Sequence, residues 1–178
     1  MKKTVILGVT GSIASYKAAD IIRHLMKDDI DVQVLMTKEA HYFITALTLQ
    51  TLSKNEVITD MFELPRRLDP VHVSLAQKAG LVLIAPATAN IIGKLANGIA
   101  DDILTCVALA TNAPVAIAPA MNDTMYKNEI VQANIARLKK FGYKFIEPVK
   151  GRLASGKVGV GHLAPVDKIV IEAKKLIK

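Results

Sequence analysis

Pro114-Val115-Ala116-Ile117-Ala118-Pro119-Ala120-Met121-Asn122-Asp123-Thr124-Met125-Tyr126 is the stretch on which the fold turns. Its first five residues are wholly apolar, the pattern of a short strand buried on both faces of a parallel sheet. Pro119 ends the run, because proline has no N–H to give to a sheet ladder. A helical pattern follows from about Thr124 to about Phe141, where Gly142 stops it. Asn122 is therefore expected in the crevice beyond the carboxyl end of a strand, where open α/β sheets bind ligands.

Working outward, the same unit recurs along the chain. Thr4 to Val9 is an apolar strand, and Thr10-Gly11-Ser12-Ile13-Ala14-Ser15-Tyr16-Lys17 turns it into a helical pattern running through Met26. Gly11 allows close backbone approach, while Ser12 and Ser15 put hydroxyls beside the unpaired amides of a helix N-terminus, a setting that favours anions. The Gly-x-Gly-x-x-Gly fingerprint is absent, which points to a mononucleotide phosphate rather than a dinucleotide. Asp31 to Met36 reads as a second strand ending at Thr37, with a helix from about Lys38 through Leu52. Thr37 has two readings that are compatible: a helix N-cap, and a hydroxyl meeting a phosphate in the crevice.

Val71 to Ala79 is a short helical pattern with His72 in its first turn, and Leu81 to Ala85 a third buried strand. Pro86-Ala87-Thr88-Ala89-Asn90 then opens a helix to Ala96, Asn97-Gly98 stops it, and another helix surrounds Cys106. Small residues at these two helix openings leave room for a flat ring. Tyr143 to Ile146 reads as a fifth strand and Val166 to Ile177 as a closing amphipathic helix. Strands alternating with helices imply a three-layer α/β fold, a doubly wound, Rossmann-like parallel sheet forming one domain over residues 1–178. Gly151 to His162 breaks all periodicity; its four glycines suit neither a helix nor a core strand, so it is either a loose connection or a flap over a ligand.

Composition narrows the functional classes. Apolar residues make up 51% and aromatics 4%, so the core is aliphatic and disorder is excluded. No apolar run is long enough for a bilayer, and Met1-Lys2-Lys3 leads straight into a strand without a cleavage site, so a cytoplasmic protein with no membrane partner is expected. Cys106 is the single cysteine, which rules out an intrachain disulfide or a cysteine metal cluster, and no metal site is expected. It reads as an inert buried thiol. The net charge of +7 is spread along the chain without the dense, aromatic-interleaved basic patch of a nucleic-acid binder. It suits anionic small ligands or a solvated surface.

The motifs resemble those of the flavin-dependent cysteine decarboxylases, a family that includes enzymes of coenzyme A synthesis and of lantibiotic synthesis. Pro119-Ala120-Met121-Asn122-Asp123-Thr124-Met125-Tyr126 is similar to its Pro-x-Met-Asn-x-x-Met-Trp motif, with Tyr126 in place of tryptophan. Gly11-Ser12-Ile13-Ala14 resembles its flavin mononucleotide phosphate loop, Ala85 to Asp101 its flavin-ring segment, and His72 its active-site histidine. The glycine-rich run resembles Gly-x-Leu-Ala-Cys-Gly-x-x-Gly-x-Gly-Arg of the branch acting on 4'-phosphopantothenoylcysteine, with Ser155 at the cysteine and His162 at the arginine.

The resemblance implies a flavoprotein-type fold, FMN as cofactor, a phosphorylated thiol acid as substrate, and a homotrimer or higher homo-oligomer with flavin between subunits. It implies catalytic roles for His72, Asn122 and Ser155. It implies FMN contacts from Gly11, Ser12, Ile13, Thr37, Thr88, Ala89, Asn90 and Asp101, and substrate contacts from Asn122, Met125, Ala154 and Gly156. In the implied chemistry flavin takes a hydride from the cysteine moiety's β-carbon, the resulting thioaldehyde loses carbon dioxide to an enethiolate, and reduced flavin returns the hydride while the flap cysteine supplies a proton. A serine hydroxyl is far less acidic than a thiol near pKa ~8.5, so Ser155 should impair the reductive half and spare the oxidative one. The alternatives within the resemblance are a peptidyl-cysteine oxidative decarboxylase, which releases the enethiol, and a flavin-binding regulatory subunit without catalysis.

Overall fold

The computed structural model of the chain describes residues 3–62, 70–154 and 156–177. Five strands, β1 (Thr4–Val9), β2 (Asp31–Met36), β3 (Leu81–Ala87), β4 (Val115–Pro119) and β5 (Lys144–Phe145), form one sheet in the order β2-β1-β3-β4-β5. Every pairing in it is parallel. The helices α1 (Ala18–Lys27), α2 (Ala46–Ser53), α3 (Val71–Lys78), α4 (Ala89–Ala96), α5 (Ile103–Ala110), α6 (Asp123–Lys127), α7 (Glu129–Lys140) and α8 (Val166–Leu176) complete the α/β architecture.

Burial explains why β3 and β4, and β1 after Thr4, are apolar at every position rather than at alternate ones. All six residues of β1 are buried, and the pleat sends Val5, Leu7 and Val9 to one face and Ile6 to the other. The first face is covered by Ile21, Ile22 and Leu25 of α1 and by Ile169, Val170 and Ala173 of α8. The second is covered by Ile91, Ile92 and Leu95 of α4, by Leu104 and Val107 of α5, and by Ile135 and Leu138 of α7. Truncating one central side chain such as Leu83 to alanine would cost about 2–5 kcal/mol, a large share of a net stability of about 5–15 kcal/mol. Gly8 is one place where packing depends on a missing side chain: a Cβ there would lie 2.5 Å from Leu104 Cδ1, so the Leu104 side chain of α5 would have to shift.

Several local expectations are corrected. The helix read from Lys38 to Leu52 is a 3-10 segment over Lys38–Tyr42, and α2 begins only at Ala46, because the Thr45 hydroxyl accepts from Thr48 N–H and starts a new helix. The helix read from Thr124 to Phe141 is likewise two, α6 and α7, divided where Asn128 Oδ1 accepts from Ile130 N–H at 2.9 Å. The glycine-rich segment is neither helix nor core strand, as read, but it is regular structure: β6 (Val149–Arg152) and β7 (Val158–His162) pair as an antiparallel ribbon outside the main sheet. Cys106 is only partly buried, its Sγ set against Met61 Sδ at 3.8 Å and Ala100 O at 3.4 Å. Among the described residues no helix is long and apolar enough to cross a membrane, and no His, Cys, Asp and Glu side chains gather as a metal site.

Candidate active site

The tips of β1, β2, β3 and β4 meet at one end of the sheet, and hydrogen bonds between the turns hold them in register. Thr10 Oγ1, just past β1, donates to Pro86 O at 2.8 Å and accepts from Thr88 N–H at 3.1 Å. Ser12 Oγ donates to Ala120 O at 3.3 Å, tying the first turn to the one after β4. Gly11 is required here because a Cβ would lie 2.5 Å from Glu39 Cβ, in the turn that follows β2. Ser15 differs from its sequence reading: its buried hydroxyl turns inward to Thr10 O and Ser12 O, so it shapes the turn instead of facing an anion.

These tips enclose a cavity of about 1010 Å³. Eleven of the candidate residues line it: Gly11, Ser12, Ile13, Thr37, Thr88, Ala89, Asn90, Asn122, Met125, Ala154 and Gly156. Thr37 is the most telling of them. Its side chain makes no cap hydrogen bond, and Oγ1 is buried with no partner among the described residues although the residue is only 7% exposed. A buried hydroxyl left unsatisfied costs about 1–3 kcal/mol, which a ligand oxygen in the cavity would relieve. Thr37 thus occupies the N-cap position of the 3-10 segment without its hydroxyl making the cap bond that the N-cap reading expects.

Asn122 is held in a definite pose. Its Oδ1 accepts from Thr124 N–H at 2.9 Å and Met125 N–H at 3.4 Å, capping α6. With the carbonyl end so committed, the amide NH2 is the end left to meet a ligand. The ribbon reaches the same place: Met121 N–H donates to Gly161 O at 3.0 Å, and Arg152, Leu153, Ala154 and Gly156 line the cavity. Ser155 lies outside the described residues, between two that line the cavity.

Sequence reasoning missed the basic lining. Lys17, Arg152 and His162 all face the cavity, and Lys17 Nζ donates to His162 Nε2 at 3.1 Å, which links the first turn to the end of the ribbon. The signal for Lys17 was present, since it follows the Gly-Ser turn by one helical turn. Nothing local foretold its meeting with His162, 145 residues later.

Two candidate residues are not brought to this cavity by their own chain. His72, in the first turn of α3, is half-buried and is not among the lining residues. Asp101 is exposed and pairs with Lys94 Nζ at 2.8 Å; the bond from Lys94 holds its carboxyl below the usual carboxylate range. Lys94 also reaches Asp102 at 3.1 Å, so the link between α4 and α5 is clamped by one ammonium. Burial works against that ammonium, yet the two carboxylates raise its pKa on balance.

Comparison with known proteins gives these features a family. A family model described as Flavoprotein matches residues 1–178. The chain belongs to the Flavoprotein family. Among its relatives, a probable phosphopantothenoylcysteine decarboxylase of Streptococcus mutans is 51% identical over 175 residues, covering 96% of both chains. A coenzyme A biosynthesis bifunctional protein of Bacillus subtilis is 49% identical over 173 residues; the match covers 97% of this chain and 43% of that protein. Among solved structures, a cysteine-to-serine mutant of PPC decarboxylase complexed with pantothenoylaminoethenethiol superposes with a TM-score of 0.87 at 31% identity, covering 98% of both chains. The FMN binding protein AtHal3 superposes with a TM-score of 0.83 at 30% identity, covering 98% of this chain and 96% of that one. As a Flavoprotein-family member the chain has the expected Rossmann-like α/β fold, with the cavity at the carboxyl ends of its parallel strands.

Proposed function

We propose that this Flavoprotein-family chain is an FMN-dependent decarboxylase that converts 4'-phosphopantothenoylcysteine to 4'-phosphopantetheine in coenzyme A biosynthesis. The observation that carries the reading is the pose of Asn122, whose amide is committed through Oδ1 to α6 and whose turn borders a cavity of about 1010 Å³. A carboxamide binds a carboxylate through neutral N–H donors, so it orients the departing group without a positive charge that would resist its loss as carbon dioxide.

The residues present fit FMN. The unpartnered Thr37 hydroxyl, together with the Gly11-Ser12-Ile13 turn, suits the phosphate end, and Thr88, Ala89 and Asn90 leave width for the ring. FMN when bound supplies hydride acceptance and return at the substrate's β-carbon. Asn122 holds the carboxylate and Met125 covers it; Ala154 and Gly156 bring the ribbon over the substrate, which keeps water out. Lys17 and Arg152 give the cavity the positive charge that a phosphorylated acid calls for.

His72 completes the set from a neighbouring copy, where an imidazole can take the thiol proton or stabilise the thiolate. A homotrimer or larger ring of copies is the assembly this requires, with Asp101 near the same junction, and the cytoplasm is its setting. Ser155 is the proton donor of the reductive half and a poor one. The PPC decarboxylase mutant that carries serine for cysteine, complexed with an ethenethiol, supports that ordering.

The test is incubation of the FMN-loaded protein with 4'-phosphopantothenoylcysteine, followed by product mass. Carbon dioxide loss is expected to run ahead of a slow reduction, so that the ethenethiol accumulates before saturated 4'-phosphopantetheine forms, and Ser155→Cys should speed the second step. Failure to release carbon dioxide defeats the decarboxylase reading; rapid formation of saturated product by the unaltered chain defeats the role given to Ser155.

A further inference from the structure

The five residues of α6 include no buried one, and an isolated helix of that length has no stability in water. Its placement is therefore imposed by neighbours. On the side away from the cavity the tie is Tyr126, whose ring packs against the core beneath α7 and whose hydroxyl donates to Glu147 Oε2 at 2.6 Å. The other oxygen of that carboxylate, Oε1, accepts from Lys139 Nζ at 2.6 Å, and the Lys139 ammonium stands 5.5 Å from the centre of the Phe145 ring. Glu147 lies between β5 and β6. One carboxylate thus joins α6, α7 and the segment that leads from the sheet into the ribbon.

The ionisation states suit a permanent link. Burial opposes the charge on Glu147, but the bonds from Lys139 and Tyr126 outweigh it and hold the carboxyl below its ordinary range. Burial, reinforced by Glu147, pushes the Tyr126 phenol well up, so it stays a neutral donor. Neither Tyr126 nor Glu147 lines the cavity. Their reach to it runs through the helix: Tyr126 N–H donates to Asn122 O at 2.9 Å, one turn back. A rotation of α6 about its axis would swing the Asn122 amide with it, and the Tyr126–Glu147 bond opposes that rotation together with the bond from Gln132 Nε2 of α7 to Tyr126 O.

We propose that Tyr126 and Glu147 are positioning residues that aim the Asn122 amide at the substrate carboxylate by fixing the rotation of α6. The proposal rests on the decarboxylase reading, because it takes the ligand of Asn122 to be a carboxylate.

The experiment measures binding of two ligands to the FMN-loaded protein by calorimetry. One is the oxygen analogue 4'-phosphopantothenoylserine, which keeps the carboxylate; the other is 4'-phosphopantetheine, which lacks it. Tyr126→Phe keeps the ring and removes the hydroxyl. It should weaken the carboxylate ligand about tenfold, the size of one lost hydrogen bond to a charged acceptor, and leave 4'-phosphopantetheine binding unchanged. Glu147→Gln, which keeps an acceptor but loses the charge, should give a smaller effect of the same selectivity, and it stands in if Tyr126→Phe does not hold FMN. On an Asn122→Ala background neither substitution should weaken the carboxylate ligand further.

Equal weakening of both ligands, no weakening of either, or full additivity with Asn122→Ala would overturn the proposal and leave Tyr126 a packing residue only. If the unaltered FMN-loaded protein binds neither ligand, the decarboxylase reading itself falls, and the positioning proposal with it.

Discussion

The Met121 backbone N–H donates to the Gly161 carbonyl at 3.0 Å, so the ribbon of β6 and β7 is seated on the very turn that carries Asn122. The fit between them is tight. A Cβ added at Gly161 would lie 2.2 Å from the Met121 carbonyl oxygen, and one at Gly159 would lie 2.8 Å from Asp123 Cβ. Glycine is needed at 161 on conformational grounds as well, since its φ of +147° lies where side-chain-bearing residues rarely go.

Gly161→Ala should accordingly lift the ribbon from the Asn122 turn. The expected result is a loss of about a hundredfold in kcat/KM with FMN binding nearly intact, since the clash faces the substrate side, and a backbone strain of about 1–3 kcal/mol. Steady-state kinetics beside a flavin titration checks it; a variant with normal kcat/KM would show that the ribbon contact has no part in turnover.

Thr37→Val separates the two roles of a buried hydroxyl. Valine has nearly the same shape and no polar atom to satisfy, so the FMN-free protein should gain about 1 kcal/mol of stability, while FMN affinity falls about tenfold. Opposite shifts in FMN-free melting temperature and in FMN Kd are the signature. A parallel loss of both would mean that Oγ1 serves the fold and not the cofactor.

Subunit mixing tests whether His72 and Asn122 serve one site from two chains. His72→Ala and Asn122→Ala should each be nearly inactive alone. After unfolding and refolding together in equal amounts, about a quarter of the sites in a ring of copies should regain both residues. Activity that stays at the level of the single variants would place both residues of each site on one chain.

The Glu147 carboxyl gives a pH prediction with a definite sign. Its folded pKa is below the unfolded value of about 4.3, so its share of stability is fully present above that value and is lost as pH falls toward the folded pKa. Glu147→Gln should remove this dependence: its stability should decline less steeply than that of the unaltered chain as the pH falls below about 4.3. Denaturant melts across that range measure the difference, and superimposable pH profiles would contradict it.

The chain order by itself determined the buried strands and their tips. The central strands β1, β3 and β4 are nearly continuous apolar runs closed by Thr or Pro, and burial on both faces leaves that mark on adjacent residues whatever lies next to them, while β2 alternates before it runs apolar. Gly11, Ser12, Thr37, Thr88 and Asn122 were legible for the same reason, each standing within three or four residues of the end of such a run. Only the tertiary structure decided what those tips meet. The glycine-rich segment has no periodicity because its strands pair with each other outside the core, so burial leaves no pattern in it. Lys17 with His162, Met121 with Gly161 and Tyr126 with Glu147 are contacts between elements brought together by strand order, and no property of either partner's neighbours in sequence encodes them. Asp101 shows the converse: a motif placed it at the end of the flavin-ring segment, and Lys94 of α4 holds its carboxylate.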